Sequence, residues 1–298
     1  MDNLIEGISF DDFIDDTDEI NKIKAESIYR NHERIGETIK NKYGSSFEII
    51  EYNGRHGLTL ATTAVNPSNG QIVNVITRNK HYENFKRAKV GSPYDKTLYG
   101  RACIGRVDNA SDDFYYKFYS HMLSRVFSPN MYEREETYKN TCINPYFLSF
   151  ENFKRWAENN YYEFEGETMC LDKDILVKGN KEYSPIKCMF VPKRINSLFV
   201  KADSIRGNLP IGVSSYECTV NGCTYTRYSV HCCRSQLKSI KKSGFTTPEE
   251  AFYCYKSLKE EEIKRVADYY WFDKGGQYIP QFSLVYSAMY KYTVDIND

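Results

Sequence analysis

The sequence predicts an α+β fold, and three observations carry that reading. Residues 46–107 alternate apolar and polar side chains between strong turn signals. Residues 111–168 repeat apolar side chains at three- and four-residue spacing, and residues 208–268 join alternating segments to one long helical pattern. The expected layout is a small N-terminal β-barrel, a helical middle domain with a strand–loop–strand–helix segment, and a C-terminal three-stranded sheet plus helix. The boundaries expected are an acidic N-terminal segment and helix over 1–45, the barrel over 46–107, the middle domain over 108–207, and the last domain with its C-terminal extension over 208–298.

Composition narrows the class. The chain has 298 residues, 41% of them hydrophobic, with 26 Tyr and 17 Phe, enough for two or three domains with proper cores. No apolar run approaches the ~20 residues of a membrane span, and no charged start leads into an apolar signal core. A soluble protein of the cytoplasm, without membrane partners, is therefore expected. Nine Cys with no signal segment imply reduced thiols. Cys218, Cys223, His231, Cys232 and Cys233 form no C-x-x-C pair, and neighbours on a strand face opposite ways, so buried thiols are expected there and no zinc.

The net charge is zero but unevenly spread. Residues 1–20 hold Asp2, Glu6, Asp11, Asp12, Asp15, Asp16, Asp18 and Glu19 with no basic side chain, whereas residues 171–245 hold 13 Lys or Arg against 5 Asp or Glu. A local cationic excess suits a surface that neutralises phosphates, so double-stranded DNA is the partner expected.

In chain order, Ile20, Ile23, Ile28, Ile35 and Ile39 predict a helix from Asp18 to Tyr43, ended by Gly44. Strands follow at 47–52, 58–64 and 72–76, separated by Asn53-Gly54 and by Asn66-Pro67-Ser68-Asn69-Gly70, and together they imply the barrel. Arg78, Lys80, Lys86, Arg87 and Lys89 are its candidate phosphate contacts. Phe114, Phe118, Met122 and Val126 predict a helix stopped by Ser128-Pro129, and a second starts at Phe150. His121 on the first is expected to be an ordinary surface or core residue.

Residues 171–199 carry the one chemical constellation. Met169-Cys170-Leu171 runs as a strand into Asp172-Lys173-Asp174, Lys178-Gly179-Asn180-Lys181 supplies a turn, Cys188-Met189-Phe190-Val191 returns, and Pro192 opens a helix bearing Arg194, Asn196 and Phe199. This order resembles the ββα-metal finger of the HNH nucleases, the His-Me finger group. Asp172-Lys173-Asp174 falls on the family's His-x-Asp, Asn180 on its loop asparagine, Pro185-Ile186-Lys187-Cys188 on Pro-x-Asn-Leu, and Asn196 on its helix position. The family's general-base histidine is missing, and no histidine lies between 122 and 230. Upstream, Asn84-Phe85-Lys86-Arg87, Gly91-Ser92-Pro93-Tyr94 and Tyr99-Gly100-Arg101-Ala102-Cys103-Ile104-Gly105 resemble the amino-terminal module that precedes HNH segments in many bacteriophage proteins.

The resemblance implies a divalent metal such as Mg²⁺, held by Asp174 and Asn196, with Asp172 or Lys173 at the base position and Asn180 ordering the loop. A solvated carboxylate is a weaker base than imidazole by about two pK units. The activity implied is therefore metal-dependent phosphodiester hydrolysis with a degenerate site. The alternative is an inactive scaffold serving as a phage DNA-binding regulator, or as an inhibitor that binds a host protein in the infected bacterial cell.

In the last domain, Leu209-Pro210-Ile211-Gly212-Val213 is expected to open a strand, with further strands at 224–233 and 237–242, before a helix that Thr247 caps, with Pro248 at its first position and Glu250 at its third. Three strands and a helix opening Gly-Phe-Thr-Thr-Pro-Glu-Glu-Ala resemble the apetala/ethylene-response-factor DNA-binding domain. In that family the sheet reads the major groove, which implies DNA contacts from Tyr225, Arg227, Arg234, Lys238 and Lys241. The whole resembles a homing-endonuclease-like protein.

Overall fold

The computed structural model describes residues 15–27, 32–130, 140–200 and 208–297. They form an α+β structure with several small sheets, divided into two compact units: residues 1–159 with 181–186, and 160–180 with 187–298. The expected middle domain is thus shared between the two units. No helix among the described residues is long and apolar enough to cross a membrane.

In the first unit, α1 (Thr17–Ser27) is followed by strands β1 (Thr38–Lys40), β2 (Ser46–Tyr52), β3 (Leu58–Val65) and β4 (Ile72–Lys80). The helix is described as Thr17–Ser27; within the rest of the span expected to be helical to Tyr43, β1 occupies Thr38–Lys40, and Gly44 lies in the turn between β1 and β2. Ile28 and the acidic Asp2, Glu6, Asp11 and Asp12 lie outside the described residues. The sheet runs β1-β2-β3-β4, antiparallel throughout, and is open, which corrects the expected barrel. The physical reason lies at the outer edge of β4. The segment before α1 supplies its partners: Asp16 N–H donates to Asn74 O (2.9 Å), and the carboxylates of Asp15 and Asp16 accept from the backbone N–H groups of Asn74 (3.3 Å) and Ile76 (2.8 Å). An edge satisfied in this way needs no closing strand.

The helices α2 (Tyr82–Lys86), α3 (Tyr116–Phe127) and α4 (Phe150–Asn160) complete the unit with β5 (Cys142–Ile143). Phe118, Tyr119, Met122, Leu123 and Val126 form the buried stripe of α3, as the spacing predicts for Phe118, Met122 and Val126, whereas Phe114 precedes the helix and is exposed. Phe147 and Trp156 meet edge to face at 5.0 Å, and Trp156 Nε1–H donates to Pro185 O at 3.0 Å. His121 is exposed.

The second unit contains β6 (Met169–Asp172), β8 (Met189–Pro192) and the short α5 (Lys193–Asn196); the intervening β7 (Glu182–Tyr183) belongs to the first unit, where it pairs in parallel with β5. Then come β9 (Val213–Val220), β10 (Cys223–Arg234), β11 (Leu237–Phe245), α6 (Pro248–Asp268), a π-helical turn (Tyr269–Asp273) and α7 (Pro280–Lys291). The three-stranded sheet plus helix is present, but its first strand starts at Val213, where the expected 209–213 segment ends. Asn221 and Gly222 both have positive φ (52° and 78°) and join β9 to β10 by a two-residue turn, which fixes the register of the hairpin. Val213, Val230, Cys232, Ala251, Phe252, Tyr255 and Val294 form the core between sheet and α6.

Candidate functional site

Residues 169–199 fold as strand, loop, strand and helical turn. β6 and β8 pair antiparallel, with Leu171 opposite Phe190 and Asp172 opposite Met189. Asp172 ends the strand as a cap: its Oδ1 accepts from the backbone N–H groups of Asp174 (2.9 Å) and Ile175 (2.7 Å). Burial raises the Asp172 pKa, and these two hydrogen bonds oppose the rise.

Lys173 turns inward and is only 4% exposed. Its Nζ donates to both carboxylate oxygens of Asp174 (2.8 and 2.7 Å) and to Asn180 O (2.8 Å), while Asn180 Nδ2 donates back to Lys173 O (2.8 Å). Three protons thus meet three acceptor atoms. The structure brings Asp172, Lys173, Asp174 and Asn180 together; Asn196 is half-buried on α5 and hydrogen-bonds to none of them. The inward lysine is legible in sequence, since period-two alternation carries Met169 and Leu171, both buried, on to residue 173.

A divalent cation does not fit this loop. Asp174 is the expected ligand, yet both of its oxygens face the Lys173 ammonium, and a second cation there would meet that charge directly. Among the described residues, no three His, Cys, Asp or Glu side chains gather as a metal-ligating group.

The C-terminal sheet presents a second surface. Val213, Val230 and Cys232 point to α6, so alternation turns Tyr216, Tyr225, Arg227 and His231 to the opposite face, with Lys241 opposite His231. Tyr216 pairs with Arg227, whose guanidinium lies 5.7 Å from the Tyr225 ring centroid. No carboxylate occurs among the strand residues of this face. Tyr216 and His231 share this face with Tyr225, Arg227 and Lys241, which sequence alone singles out. Lys238 is exposed within an irregular stretch of β11, where Ile240 to Leu237 spans Cys232 to Arg234.

Arg234 is engaged internally. Its Nε donates to Glu262 (3.1 Å), a carboxylate 1% exposed that also accepts from Arg265 (2.7 and 2.8 Å) and from Ser235 N–H (2.6 Å). Glu262 lies seven residues after Tyr255, on the apolar face of α6, which is the signal that marks it. Of the candidate phosphate contacts in the first unit, Arg78 pairs with Glu19 (2.6 Å) and Arg87 approaches Glu83 (3.9 Å). Cys232 and Cys233 face opposite ways, the first buried and the second exposed. Comparison with family models, curated proteins and solved structures finds no match to this chain.

Proposed function

We propose that this chain is a DNA-binding protein on an HNH-like scaffold that does not cleave DNA, and that it acts as a regulator. The observation that carries this reading is the Lys173 ammonium held between Asp174 and Asn180, where the resembled family would hold its metal. The aromatic and basic sheet face, free of strand carboxylates, supports DNA as the partner, since cationic groups neutralise phosphates and tyrosine rings pack on sugars and bases.

The test is incubation of supercoiled plasmid with Mg²⁺ or Mn²⁺. Wild type and Asp174→Ala are expected to leave it intact while the wild type shifts its mobility. Metal-dependent nicking that Asp174→Ala abolishes would establish a nuclease instead.

A further inference from the structure

Arg34 lies in the first unit, in the turn that precedes β1. Its turn is pinned to β2 by Gly36 N–H to Ile49 O (2.9 Å) and Ile49 N–H to Glu37 O (3.0 Å). The guanidinium carbon sits 3.9 Å from the Tyr82 ring centroid and 5.3 Å from that of Tyr52, and His32 stacks on Tyr52 at 3.9 Å. Both tyrosines pack on the core of Phe47, Ile49, Leu58, Leu60, Phe85 and Val90, so the rings are fixed. Among the described residues the Arg34 side chain has neither a carboxylate partner nor a hydrogen-bond acceptor. Two acids lie nearby: Glu37 accepts the Tyr82 hydroxyl (3.0 and 3.1 Å), and the exposed Glu33 also acts on Tyr82 without pairing with Arg34.

A guanidinium whose faces are held by rings keeps its N–H edge for a planar pair of oxygens. Lys86 Nζ, 5.7 Å from the Tyr82 centroid, adds a second positive charge. We infer that Arg34 anchors a phosphate-binding site, whose ligand is a phosphate of the DNA backbone. The choice of DNA rests on the proposed function; the oxyanion site itself does not.

The experiment follows the Arg34 Nε–Hε signal of the full-length protein by ¹⁵N NMR, assigned by its loss in Arg34→Lys. Inorganic phosphate and a DNA duplex are titrated separately at constant ionic strength, with NaCl as control. A shift with both supports the site and its DNA ligand. A shift with phosphate alone keeps the site and removes DNA as its ligand, whatever the duplex does elsewhere on the protein. No shift with either, in a sample where the signal is visible, overturns the inference. Arg34→Lys, which keeps the charge and loses the fork, is expected to weaken phosphate binding about tenfold.

Discussion

The Lys173 ammonium lies 2.7 Å from a carboxylate oxygen of Asp174, and the pair is closed from the other side by the Asn180 carbonyl at 2.8 Å. This relationship gives the loop an internal cation of its own. Lys173→Met keeps the buried stem and removes the charge together with the hydrogen bond to the Asn180 carbonyl. Asp174 is 43% exposed, so water screens its share. The expected loss is about 1–3 kcal/mol, read from urea denaturation; an unchanged midpoint would contradict the role given to Lys173.

Glu262 sets an acid limit on stability. Burial raises its pKa, but the hydrogen bonds from Arg265, Ser235 and Arg234 outweigh it, and the net shift is downward. A depressed carboxylate stabilises the fold above its unfolded pKa of about 4.3 and loses that contribution as pH falls through the folded value. Urea midpoints measured from about pH 6 to about pH 3 should therefore fall more steeply for wild type than for Glu262→Gln. Arg234→Ala should lower stability and leave the salt dependence of DNA binding unchanged.

Gly212 has φ +76°, and a Cβ there would overlap the buried Tyr255 ring. Gly212→Ala combines a disfavoured backbone with overpacking and should cost about 2–5 kcal/mol in thermal or urea unfolding. A near-neutral effect would mean that β9 packs on α6 more loosely than described.

Much of the second unit is legible in the sequence. Thr247 Oγ1 accepts from Glu250 N–H (3.1 Å), as the capping pattern predicts, although the Glu250 carboxylate returns to Thr246 rather than to Thr247. The strand, loop, strand and helix order of 169–199 also follows from local turn chemistry. The open sheet does not, because the edge of β4 is covered by Asp15 and Asp16, some sixty residues before the strand they meet. The Arg234–Glu262 pair is hidden for the same reason: the charge of an arginine is visible in sequence, and its partner 28 residues away is not.

The most direct measurement is duplex-DNA binding by fluorescence anisotropy across a salt series in EDTA, comparing wild type with Arg227→Ala/Lys241→Ala. The wild type should bind without metal, with affinity falling as salt rises, and the double variant should reduce the log–log slope by about two. Absence of binding in EDTA, or an unchanged slope in the double variant, would contradict the account.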